Sequence, residues 1–229
     1  SIPSLDMGGY ADLRFILREG GSMGDLYSRT DLRRDANGAI YMDESNNVYT
    51  QKIDNPDSYI KLGSVLPKGN LAWRNNFMWK NFHVGFMISA RLGGVVFSRT
   101  QAILDKFGVS EASADARDNG FVLINGNDRV NPENWYTTVG STAVPQYYTY
   151  SATNVRLQEA SIGYTIPRKW LANVCDIKVS LIGRNLWMIY NKAPFDPEAV
   201  ASTDNFYQGI DNFMMPSLRN VGFSLNFKF

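Results

Sequence analysis

The chain has 229 residues, with 23 Lys and Arg against 22 Asp and Glu, and its formal net charge of +1 supplies no field that favours nucleic acid or another polyanion. The single Cys175 excludes an intrachain disulfide framework, and one His83 is too few for a Cys/His zinc site. No window reaches the ~18 consecutive apolar residues of a membrane helix, yet 13% of residues are aromatic at a mean hydropathy of -0.26, a pairing that suits alternating strands.

Residues 1–69 carry the weaker patterns: a strand around 13–17, another over 25–32, a turn at Asp35-Ala36-Asn37-Gly38 and a short return through 40–42. Five longer strands follow. Over 70–80, Leu71, Trp73, Phe77 and Trp79 oppose Asn70, Arg74, Asn76 and Lys80. After a tight turn at Lys80-Asn81, Phe82, Val84, Phe86, Ile88, Ala90 and Leu92 alternate with His83, Gly85, Met87, Ser89 and Arg91 without a slip. Residues 93–152 form a long connection in which Ser98 or Thr100 caps a short helix bearing Ile103, Leu104 and Phe107, stopped at Gly108, and a small hairpin turns at Asn125-Gly126-Asn127. Over 153–166 the apolar phase shifts near Glu159, which predicts a bulge. Strands over 176–190, through Ile177, Val179 and Leu181, and over 221–229, through Val221, Phe223, Leu225, Phe227 and Phe229, complete the set.

A soluble β-sandwich also alternates, so period alone leaves two readings: a soluble or surface-exposed β-rich ligand-binding module, and a membrane wall. Three features favour the wall. The strands match the roughly 9 to 11 tilted residues that cross a bilayer, and short connections at 80–81 and 167–175 alternate with long ones at 93–152 and 191–216. Trp79, Trp187, Tyr190, Phe227 and Phe229 sit near strand ends, where aromatic girdles lie. Arg74, His83, Arg91, Arg184 and Lys228 occupy the face opposite the apolar stripe, as a water-facing lumen requires. The fold class is therefore all-β, the C-terminal antiparallel strands of a large up-and-down barrel, in one domain over 1–229. So few strands cannot close a wide barrel, and an open edge in lipid leaves backbone groups unpaired, so the remaining strands are expected upstream of Ser1.

The run NVRLQEASIGYTIP at 154–167, then GRNLW at 183–187, APFDPE at 193–198, PSLR at 216–219 and the closing GFSLNFKF at 222–229, resembles the C-terminal part of SusC-like TonB-dependent transporters. GGSMGDLY at 20–27 and RDANG at 34–38 are similar too. The resemblance implies a multi-pass outer-membrane importer of Bacteroidetes type, whose barrel of about 22 strands holds an N-terminal plug. It implies uptake of oligosaccharides or peptides, energy from TonB through the N-terminal part, a SusD-like surface lipoprotein as lid, and no cofactor. It also makes Phe223, Leu225, Phe227 and Phe229 an assembly signal. The long connections are expected to dock the lipoprotein and rim the substrate cavity, with Trp135, Tyr136, Phe195 and Phe206 as the kind of residue that anchors interfaces.

Other signals are weaker. Gly20-Gly21-Ser22-Met23-Gly24 satisfies G-x-S-x-G, but nothing in the pattern predicts the helix-separated parallel strands of an α/β-hydrolase, and a glycine-rich turn explains it better than a nucleophile. No catalytic residue is assigned. Asp35, Asp43 and Glu44 lack the alternating ligand spacing of a calcium loop, so no metal site is assigned. Trp135, Tyr136 and Tyr147 are the candidate substrate contacts, because aromatic faces stack on sugars and pack on peptides. Membrane-surface girdles use the same residues, and Tyr148 and Tyr150 fit a girdle better.

Overall fold

A computed structural model of the chain describes residues 4–140, 144–171, 174–202 and 207–228. Lys80, at φ 53°, closes the turn between strands β1 (Gly69–Trp79) and β2 (Phe82–Leu92). With β3 (Asn154–Ile166), β4 (Asp176–Asn191) and β5 (Asn220–Lys228) they form one antiparallel five-stranded sheet whose spatial order follows the chain. Lengths of 11, 11, 13, 16 and 9 residues exceed the ~5 to 6 usual for globular strands. Each long strand arises where the sequence alternates, because a period of two places every second side chain on one face.

The register carries that alternation across the sheet. Phe77 opposes Val84, Val84 opposes Ile162, Ile162 opposes Leu181 and Leu181 opposes Phe223, an apolar row through all five strands. Its neighbour on the other face runs Met78, His83, Gly163, Ser180 and Ser224. The bulge expected near Glu159 is present: both partners of β3 shift register between Leu157 and Glu159. This sheet and its connections (Pro67–Gly93, Ala152–Glu198, Met215–Phe229) make one of two compact units.

The other unit comprises Ser1–Leu66, Gly94–Ser151 and Ala199–Met214. Strands Ser4–Tyr10, Leu13–Arg18, Asp25–Ser28 and Ile60–Ser64 form a four-stranded sheet, while Val95–Ser98 lies between Thr149–Ser151 and Ile210–Asp211 in a smaller one. Three short helices follow the second sheet: α1 (Arg99–Lys106), α2 (Glu111–Asn119) and α3 (Pro132–Val139). Of the two proposed caps for α1, Ser98 serves. Its hydroxyl accepts from the Gln101 amide at 3.1 Å and donates to Asp211 at 2.7 Å. The core gathers Leu13, Phe15, Leu26, Phe97, Trp135 and Tyr148, and each fully buried Leu or Phe contributes about 1.5 to 3 kcal/mol.

Several expectations are corrected in this unit. The strand expected over 25–32 is broken at Arg29 into Asp25–Ser28 and Thr30–Leu32, which join different sheets. The return through 40–42 makes only isolated bridges, Arg34 to Ile40 and Met42 to Val48. Tyr148 is no girdle residue: it is 3% exposed and its hydroxyl donates to Asp105 at 2.8 Å, while Tyr150 packs against the same core. Both lie where Thr149–Ser151 pairs with Val95–Ser98, so packing with this small sheet decides their surroundings. Phe229 and Phe206 lie outside the described residues.

Candidate functional site

The two faces of the five-stranded sheet differ in chemistry. Among the described residues, the face bearing Trp73, Phe86, Ile162, Leu181 and Phe223 has no charged strand residue, and Trp73, Phe77, Leu181 and Phe223 are exposed on it. Aromatic rings cluster towards the short turn: Trp79 stacks near Phe82 at 6.4 Å, and Phe82 meets Tyr164 at 4.8 Å. Trp187 and Tyr190 lie exposed towards the opposite end. Such a face is unstable in water and suited to lipid.

The opposite face brings together residues that the sequence assigns to it separately. Arg74 opposes Met87, Met87 opposes Glu159 and Glu159 opposes Arg184, so three charged side chains share one cross-strand row. Glu159 binds both cations, Oε1 to Arg74 Nη2 at 3.1 Å and Oε2 to Arg184 Nε at 3.3 Å. His83 Nε2 lies 2.9 Å from Thr165 Oγ1, and Arg91 stands opposite Asn154. Sequence reasoning marked the bulge at Glu159 but not the charge that the bulge positions.

A second polar centre lies at the end of the sheet where the long connections leave it. Arg156 is 3% exposed, yet its guanidinium is surrounded by acceptors. Its Nη2 reaches Asp196 Oδ1 at 2.9 Å and Glu198 Oε2 at 3.2 Å, and its Nε donates to Asn154 Oδ1 at 3.2 Å. Its Nη1 donates to Asn185 Oδ1 at 3.4 Å and Ser217 Oγ at 3.3 Å. Asn185 sits at φ 51° in the β4 irregularity and donates to the Ser217 carbonyl at 3.0 Å. Asp196 in turn accepts from the Ser217 hydroxyl and from the Glu198 amide. Burial works to raise the pKa of Asp196, but hydrogen bonds from Arg156 and Ser217 outweigh it and hold the carboxyl below its ordinary range. The motif residues at 154–156, 185, 196–198 and 217 thus meet at one point, though the sequence shows them only as separate strings.

The aromatic candidates do not act as one surface. Trp135 is 8% exposed and belongs to the core of its unit, with its ring edge-on to Tyr147 at 5.5 Å. Tyr136 is half-buried, donates to the Ala112 carbonyl at 3.1 Å and lines a cleft of about 350 Å³ with Lys106, Phe107 and Arg117. Tyr147 is 40% exposed. Ser22 fits a turn: its hydroxyl donates to Asp25 at 2.8 Å and lies 3.0 Å from Ser64, while Gly20 takes φ 74°. Asp35 and Asp43 turn carboxylate oxygens onto amides of their own loops, Ala39 at 3.0 Å and Asn47 at 2.8 Å.

No protein-family model matches the chain. It is 27% identical to TonB-dependent receptor P3 of Formosa agariphila over 207 residues, 85% of this chain. The RagAB peptide importer in its closed-closed state has a chain with a TM-score of 0.59 at 16% identity over 95% of this one. The chain is similar to a barrel segment of a TonB-dependent receptor. In the open-open state of that importer the TM-score is again 0.59, at 14% identity over 99% of the segment. The chain spans 19% of the length of the curated relative and 26 to 28% of the two solved chains. Its fold is all-β and its place is the outer membrane.

Proposed function

We propose that the receptor containing this segment imports oligosaccharides or peptides across the outer membrane, energised through TonB and assisted by a SusD-like surface lipoprotein. The observation that carries this reading is the segregation of the five-stranded sheet into an uncharged aromatic face and a face bearing Arg74, Glu159, Arg184 and His83. One face meets lipid; the other lines the water-filled interior, with Arg91 on the same side. Likeness to a TonB-dependent receptor and to a chain of a peptide importer supports transport as the activity. No catalytic role is assigned.

The connections 93–152 and 191–216 leave the end of the sheet opposite the short turns, and in this reading they dock the lipoprotein and rim the substrate cavity. Tyr136 and Tyr147 remain the candidate substrate contacts, while the burial of Trp135 suits it to holding the segment that carries them. Phe223, Leu225, Phe227 and Phe229 act as the assembly signal, and the segment is the C-terminal part of the receptor. Shortening each long connection in the full-length receptor, with assembly verified by heat-resistant migration, tests the docking. Lipoprotein co-purification or substrate uptake is lost in this reading. Survival of both in both deletions refutes it.

A further inference from the structure

The Arg74–Glu159–Arg184 cluster is unusual for a strand surface. One carboxylate holds two guanidiniums, so the group keeps one positive charge in excess, and neither arginine has another partner among the described residues. The arginine side chains are 56% and 68% exposed, against 26% for Glu159, so the carboxylate sits lower and the cations stand above it. A guanidinium presents five N–H donors. Two guanidiniums together present more donors than the oxygens of one carboxylate accept, so Glu159 alone does not satisfy both cations.

Backbone irregularities converge on the same point. Between Leu157 and Glu159 the β3 strand carries an extra residue relative to β2, and β4 carries one more, running from Trp187 to Arg184 over that interval with Asn185 at φ 51°. Bulges of this kind re-aim side chains and recur beside functional sites. Here they set Glu159 directly opposite Arg184 and, across Met87, within reach of Arg74. A regular strand would carry the upstream alternation through and turn position 159 to the apolar face.

From this we infer that Arg74 and Arg184, positioned by Glu159, form an anion-binding subsite on the polar face of the wall that takes a carboxylate group. Planar, pre-oriented guanidiniums match a carboxylate's two oxygens, and charge-assisted bonds of this type are about twice as strong as neutral ones. The carboxylate is carried by a transported acidic oligomer or by another part of the same receptor. The inference rests on the uptake reading only in placing this face towards the aqueous interior.

Trifluoroacetate, followed by fluorine NMR line broadening with the full-length receptor in detergent, is the probe. It is compared on the wild type and on the neutral variant Arg74→Gln/Glu159→Gln/Arg184→Gln, which leaves no stranded charge. Broadening with the wild type that falls at least tenfold with the variant establishes a site open to an external carboxylate. No broadening with either protein, together with a melting point lowered by more than about 5 °C in the variant, a larger loss than surface ion pairs alone produce, establishes that the receptor supplies its own carboxylate. Equal broadening with both proteins overturns the inference, and so does no broadening with an unchanged melting point. Trifluoroacetate binding by a receptor that imports nothing would sink the uptake reading alone.

Discussion

Arg156 and Asp196 meet at 2.9 Å across 40 positions of sequence, and their side chains are 4% and 8% exposed. A buried ion pair of this kind recovers its desolvation cost only when the remaining donors and acceptors are satisfied. Asn154, Asn185, Ser217 and Glu198 do so here. Arg156→Met strands the Asp196 carboxylate and is expected to cost about 3 to 5 kcal/mol. Arg156→Met/Asp196→Asn removes both charges and is expected to cost less than the single change. Urea titration of the folded receptor decides between them; a double variant as unstable as the sum of the singles refutes the coupling.

Acid should act through the same pair. Asp196 titrates below its ordinary range because hydrogen bonds from Arg156 and Ser217 outweigh the burial that works to raise it. A depressed folded pKa means that its contribution is complete above the unfolded value near pH 3.9 and is lost as pH falls through the folded value. The stability gap between wild type and Asp196→Asn is therefore expected to stay constant from about pH 5 to 8 and to narrow below about pH 4. A gap that closes between about pH 5 and 7 would place the responsible group elsewhere.

The wall was legible because its residues obey one rule over long stretches: the phase of Phe82 to Leu92 never slips, and the matched strand agrees in extent. The charged row was hidden because it depends on register between strands far apart in sequence, 85 positions for Arg74 and Glu159, and because Glu159 lies where the alternation breaks. Within 93–152 the aromatic residues misled. Trp135 and Tyr148 look like surface aromatics when no framework for them is visible: α3, which carries Trp135, has a weak pattern, and the strand that follows Tyr148 pairs with one distant in sequence. Helix α2 escaped notice because only alanines mark its apolar side, although Ser110 and Gly120, at φ 80°, bracket it as cap and stop.

Gly140 ends α3 where it crosses α1. A Cβ there would lie 2.6 Å from the Lys106 amide nitrogen and 2.8 Å from the Ala102 carbonyl oxygen, both backbone atoms that cannot swing aside. With φ at -75° the position imposes no left-handed strain, so the constraint is close approach alone. Gly140→Ala is expected to cost about 1 to 3 kcal/mol by overpacking and to raise hydrogen exchange in α1 and α3. Wild-type exchange rates in both helices would show that the crossing relaxes without cost.

The apolar face gives a depth-dependent test of the wall. Leu181 lies further along β4 from the short turn than Ile177, the second residue of that strand, and their partners Phe223 and Phe227 on β5 keep the same order. An outward Arg costs about 2 to 4 kcal/mol at the bilayer midplane and about 0 to 1 near the interface. Leu181→Arg is therefore expected to lower the urea midpoint of the receptor in lipid vesicles more than Ile177→Arg. Ser180→Arg supplies the opposite-face comparison, with one complication: its hydroxyl oxygen lies close to Gly163, so a bulky replacement also crowds β3. Ser224, in the same polar row, is the cleaner site. In a Cys175→Ser background, cysteine at 86 or 225 should resist a water-soluble maleimide while cysteine at 224 reacts. Faster modification at 86 and 225 than at 224 would reverse the two faces and remove the basis for placing Arg74, Glu159 and Arg184 towards water.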